Sequence, residues 1–109
     1  RPSMTRLEVI NWFKKKLNRN PEPNDFYTAA KDLYQLGSYS RSILCLKEYI
    51  TVSNNSAPGH HLMGYCYLNL GEVENALSEF KSSIEYGYSE DWQLIVELTI
   101  EEEEKHKTF

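Results

Sequence analysis

Very little in this chain points toward metal, disulfide or membrane chemistry. Its 109 residues hold two cysteines, three histidines, four prolines and five glycines. Cys45 and Cys66 both fall inside apolar helical patterns and lack metal-ligand spacing. They therefore form no disulfide framework, and two such thiols fit a reducing compartment, cytosolic or nuclear. His60 and His61 are adjacent, so on a helix they point to different faces and cannot share one metal. There is no HExxH and no glycine-rich phosphate loop, and neither cysteine has a base arranged beside it for a nucleophile. No run approaches the ~18 apolar residues of a membrane helix, and no secretory signal is visible. The charge balance of −4, with a pI near 5.4, argues against wholesale binding to nucleic acid or membrane surfaces. No segment shows the strict alternation of a half-buried strand. The expectation is a non-enzyme with no catalytic residue, no metal and no cofactor.

What is present is helical. Hydrophobic residues make up 40% of the chain and aromatic residues 13%, including eight tyrosines, too many for a disordered segment. Proline and glycine punctuate it. Pro21 and Pro23 follow a first helical pattern running roughly from Thr5 to Arg19, in which Ile10, Phe13 and Leu17 share one face and Leu7 sits at its edge. Gly37-Ser38, then Asn54-Asn55-Ser56 with Pro58, then Gly71 and Gly87 mark further breaks. Six helices joined by short turns follow from that spacing.

The strongest pattern is internal. The step from Gly37 to Gly71 recurs through the flanking positions. The same offset pairs Ala30 with Gly64, Leu33 with Tyr67, Leu36 with Leu70, Ser42 with Ala76, Leu46 with Phe80 and Ile50 with Ile84. A helix–turn–helix period of that length, about 34 residues, is that of tetratricopeptide (TPR) repeats. The second copy, with Met63-Gly64, Tyr67, Ala76 and Phe80, resembles the TPR family most closely. Small residues at Ala30, Gly64 and Ala76 let helices approach, bulky Tyr67 and Phe80 fill the gaps, and Gly37 and Gly71 cap helices in the left-handed conformation. Departures are His60 in place of the usual Trp, Ser42 in place of Ala, and Tyr88 where a helix-ending Pro is common. The implied architecture is an all-α TPR-type α-α superhelix. It has an N-terminal capping helix (1–22), two repeats (23–56 and 57–90) and a final segment (91–109) that starts a third unit or caps the second. In that last segment Trp92, Ile95, Val96, Leu98 and Ile100 surround the helix, so it calls for cover by further repeats or by an oligomer interface.

The resemblance implies a concave face lined by the first helix of each repeat and occupied by a partner's peptide segment. Family positions carried across one by one select Tyr27, Lys31 and Tyr34, then His61, Leu62, Tyr65 and Asn69, then Trp92, Ile95 and Thr99. Heat-shock co-chaperones of the family clamp a terminal carboxylate with Lys, Asn and Arg. The matching positions here are Tyr27, Lys31, Leu62, Trp92 and Val96, which lack the charge-assisted donors that offset desolvation of a carboxylate. Separately, Lys14, Lys15, Lys16 and Arg19 beside Trp12 form a basic patch. That patch is either a solvated helix end or a contact for a partner or single-stranded RNA.

Within the TPR family, the short N-terminal helix, Phe26-Tyr27, Tyr49-Ile50 with Val52, and the run from His61 to Gly64 resemble the N-terminal helical domain of the giant Ran-binding nucleoporins. That resemblance implies protein scaffolding with nucleoporin neighbours at the cytoplasmic face of the nuclear pore, in nucleocytoplasmic transport. The alternatives are an RNA-contacting module and a non-catalytic TPR module of another multidomain protein. No membrane partner is expected.

Overall fold

The computed structural model describes residues 4–107, so the outer ends of the 1–22 and 91–109 segments lie outside the described residues. Six helices follow one another: α1 (Arg6–Leu17), α2 (Pro23–Gln35), α3 (Tyr39–Val52), α4 (Ala57–Asn69), α5 (Val73–Glu85) and α6 (Asp91–Lys105). Among the described residues there is no strand. The period seen in the sequence sets the helix starts. Ala57 opens α4 one full repeat after Pro23 opens α2, and Val73 opens α5 at the same distance from Tyr39 of α3. Asp91 then opens α6 one further repeat beyond Ala57.

Local chemistry accounts for the helix limits. Thr5 closes a capping box with Glu8: its hydroxyl accepts from the Glu8 amide at 3.3 Å while the Glu8 carboxylate accepts from the Thr5 amide at 3.1 Å. Asn18, at φ 56°, ends α1 in the left-handed region that asparagine tolerates. Pro23 occupies the first turn of α2, where its missing N–H costs nothing. Gly37 and Gly71, at φ 79° and 77°, end α2 and α4 with the same double bond pattern. Ser38 N–H reaches Leu33 O and Gly37 N–H reaches Tyr34 O; Glu72 and Gly71 repeat this on Tyr67 and Leu68. This is the Schellman arrangement, which satisfies carbonyls the helix leaves orphaned. A Cβ at Gly37 would meet no atom within 4 Å, so only backbone strain opposes a side chain there. Gly37→Ala is expected to cost ~1 kcal/mol, measurable as a shift of the urea midpoint with unchanged slope.

Packing runs in chain order: α2 against α3, α3 against α4, α4 against α5 and α5 against α6, with α1 laid on α3. The result is an elongated array of 55 × 34 × 20 Å. Val9, Phe13, Phe26, Ala30, Ile43, Leu46, Met63 and Cys66 belong to one core; Ala76, Phe80 and Ile95 form a second, and Tyr67 packs against both. Equivalent positions are buried in pairs: Ala30 with Gly64, Ser42 with Ala76, Leu46 with Phe80. The Gly64 position brings its helix so close to α5 that a Cβ there would lie 2.5 Å from the Phe80 ring. Ser42, one repeat before the buried Ala76, satisfies its buried hydroxyl by donating to the Ala30 carbonyl at 2.7 Å.

Three details differ from the sequence reading. The buried edge of α1 is Val9 with Phe13, while Ile10 and Leu17 are half-buried and Leu7 is 66% exposed. The cause is an anchor that periodicity does not reveal: Arg6 forks onto both oxygens of Glu48 at 2.9 Å, and Glu48 is itself buried in α3. That ion pair orients α1 so that the Phe13 ring lies 4.7 Å from Phe26, the two planes tilted by 60°. Ile95, expected on the open face, lies in the second core against Ala76 and Phe80. Gly59 is a further close approach, since a Cβ there would sit 2.7 Å from both Ile50 and Tyr49 of α3.

Candidate partner-binding groove

α2 and α4 stand side by side, and their common face carries an open depression of about 350 Å³ lined by Tyr27, Lys31, Tyr34, Gln35, His61, Leu62 and Tyr65. Asn69 closes one end by donating from Nδ2 to the Tyr34 hydroxyl at 3.2 Å and to the Tyr65 carbonyl at 2.9 Å. Helical spacing explains the grouping, because 27, 31 and 34 on α2 and 61, 65 and 69 on α4 follow one turn after another, with Leu62 adjoining His61. Trp92, selected with these residues from the sequence, does not line the depression; it lies on α6 and is 60% exposed. Thr99 is likewise exposed on α6.

The face is amphipathic and carries little charge of its own. The Lys31 ammonium sits 5.2 Å from the centre of the Tyr27 ring, a cation–π contact that keeps it over the aromatic wall. Burial pushes the Tyr27 and Tyr65 phenols above their ordinary range, so both remain neutral hydroxyls. His61 turns inward: its Nδ1 lies 2.7 Å from Asp91, and its ring leans on Tyr65, Tyr88 and Phe80. It therefore supports the floor of the depression more than its rim.

Asp91 is the residue that sequence inspection missed. It opens α6, is 1% exposed, and receives both His61 of α4 and the Ser83 hydroxyl of α5 at 2.6 Å. Ser83 is fully buried and lies 2.7 Å from the Phe80 carbonyl as well. One carboxylate thus joins three helices. In the sequence Asp91 reads as an ordinary acid in a helix's first turn; only its position one repeat beyond the buried Ala57 hints that it faces inward. The trio is not a nucleophilic triad, because serine and histidine both bond to the carboxylate rather than to each other. His60, on the other side of α4, pairs with Glu79 at 2.8 Å and stacks on Tyr86 at 5.5 Å. The two histidines are thus bound to different helices and to different carboxylates. Among the described residues no cluster of histidine, cysteine and carboxylate side chains could hold a metal.

The basic patch is smaller than expected. Arg19 is committed to Asp25 through two bonds of 2.8 and 2.9 Å, and that guanidinium, with the Glu22 amide, holds the Asp25 carboxyl down to about 2. Lys14, Lys15 and Lys16 are exposed, and Lys16 lies 5.8 Å from the Trp12 ring, occupying the face on which a base would stack. Cys45 and Cys66 are buried free thiols, and burial raises Cys45 to about 11 and Cys66 in the same direction. At neutral pH both are therefore expected to react with a disulfide reagent slowly in the folded chain and at once in denaturant, as thiol-release absorbance would record.

The chain matches no protein-family profile, no curated protein and no solved structure. No helix among the described residues is long and apolar enough to cross a membrane.

Proposed function

We propose that this chain is a TPR-type docking module, without catalytic activity of its own, that holds a segment of a partner protein against the α2–α4 face. The observation that carries the reading is the convergence of Tyr27, Lys31, Tyr34, Leu62 and Tyr65 around one open depression, with Asn69 bonded to Tyr34 and Tyr65 beside it. Tyrosines present large contact area at little entropic cost, and hydroxyl and amide groups beside them select orientation. The TPR assignment is supported by the regular spacing of helix starts, by the matched left-handed glycines and by the Gly64–Phe80 contact. The setting we propose is anchoring or assembly at the cytoplasmic face of the nuclear pore, resting on the sequence resemblance to the Ran-binding nucleoporins. Single-stranded RNA binding has less support, because Arg19 and the face of Trp12 are already occupied.

The test is proximity capture in cells with the chain and with Lys31→Glu/Leu62→Glu, which alters the depression at its accessible side chains. Loss of a defined set of neighbours in the variant, with nuclear-pore components among them, is the expected result. An unchanged set of neighbours would refute the groove, and a set without pore components would refute the setting.

A further inference from the structure

Among the described residues, two surfaces near opposite ends of the array have no helix packed over them. The first is a cleft of about 430 Å³ between α1 and the α2–α3 hairpin, walled by apolar side chains such as Val9, Trp12, Leu33 and Leu44, with Asp32 and Arg41 its polar members. Lys14, Lys15 and Lys16 are exposed on α1, with Lys16 over the ring of Trp12 at the edge of the cleft. The second lies on α6, where Trp92, Val96 and Ile100 repeat every fourth residue and are 60%, 40% and 50% exposed. Spacing of that kind aligns them in one stripe. Glu97, Glu101, Glu103 and Glu104 are exposed around it.

The charges of the two surfaces are opposite. Lys14, Lys15 and Lys16 are the exposed charges of α1 that remain once Arg6 and Arg19 are committed to Glu48 and Asp25, and Glu97, Glu101, Glu103 and Glu104 are exposed on α6. An apolar helix stripe seated in an apolar groove is a recurrent docking mode, and opposed charged rims set orientation and speed encounter. We propose that the Trp92–Val96–Ile100 stripe of one copy docks in the α1–α3 cleft of the next, joining the chains head to tail. A second copy is the occupant that supplies both halves at once, an apolar stripe with an acidic border and an apolar cleft with a basic one. Because the two faces differ, the contact is heterologous and each docking leaves a free head and a free tail. Rows therefore lengthen with concentration rather than stopping at a pair. The α2–α4 depression takes no part in the contact, so partner docking and self-association are separable.

Sedimentation of the chain from micromolar to near-millimolar concentration tests this. At low salt the average mass should rise continuously with concentration. Association should weaken roughly tenfold at ~1 M salt, where charges are screened beyond ~3 Å. Lys14→Glu/Lys15→Glu/Lys16→Glu gives an acidic head, and Glu101→Lys/Glu103→Lys/Glu104→Lys gives a basic tail. Each variant alone should remain monomeric, whereas their mixture should associate, since the acidic head then meets the basic tail. Recovery on mixing also shows that both variants are folded. Trp92→Ser/Val96→Ser should abolish association while leaving the helical circular dichroism signal unchanged. A monomer at every concentration, growth that stops at two copies, charge variants that associate alone, or oligonucleotide binding by the lysines of a chain that stays monomeric would each overturn the proposal.

Discussion

Gly64→Ala is expected to destabilise the fold by about 2 kcal/mol, and Gly64→Leu by more than ~4 kcal/mol, enough to leave little folded chain. The sign is the informative part. In an open helix interior, glycine to alanine stabilises by roughly 0.5–1 kcal/mol, through helix propensity and a stiffer unfolded chain. At Gly64 a Cβ would lie 2.5 Å from a Phe80 ring that is itself fully buried. Neither a rigid aromatic ring nor the backbone behind it can yield cheaply. Thermal melting should record a fall of about 4–8 °C per kcal/mol for a domain of this size. Shortening the opposing ring should relieve the clash, so Phe80→Leu should cost less in the Gly64→Ala background than alone. A coupling energy near zero in that double-mutant cycle would mean the two helices do not meet at this point.

The second large effect is expected at Asp91. Removing its carboxylate with Asp91→Ala leaves the buried Ser83 hydroxyl without its acceptor on α6 and His61 without its carboxylate. Breaking a buried pair from one side costs about 3–5 kcal/mol. Partial solvent access to His61 places this case near the lower end of that range. Asp91→Asn keeps an acceptor oxygen in nearly the same place, so it should cost about 1–2 kcal/mol. The readout is local: amide exchange in α6 should accelerate in Asp91→Ala before the rest of the chain opens, because α6 packs on α5 and on no earlier repeat in the same way. Equal protection of α6 in the chain and in Asp91→Ala would show that Ile95 alone holds the helix. The same variant should also weaken self-association, since α6 presents the exposed stripe.

Most of the helical outline is legible in the order of residues. Helix starts, left-handed caps and close approaches depend on glycine, proline and small residues at fixed offsets, and these effects act within a few neighbouring residues. That is why Gly37 and Gly71 adopt the expected backbone and why Gly64 faces Phe80. The grouping of Tyr27, Lys31 and Tyr34 with His61, Leu62 and Tyr65 is what the TPR resemblance implies position by position, and these six side chains line one depression.

The long-range polar contacts are not legible. Glu48 and Asp91 are buried acids whose partners lie 42 residues away at Arg6 and 30 residues away at His61. Hydrophobic periodicity assigns charged side chains to the solvent, and burial becomes tolerable only once a particular partner is brought within bonding distance. The Arg6–Glu48 pair then rotates α1, replacing Ile10 by Val9 on its inner edge. Asp91 fixes α6, which buries Ile95 and leaves Trp92 outside the depression. The helices, their period and the turns between them are written in the order of residues, because they depend on local backbone conformation and side-chain spacing. Which apolar faces stay open is set by long-range packing, because it follows from where two buried carboxylates find their partners.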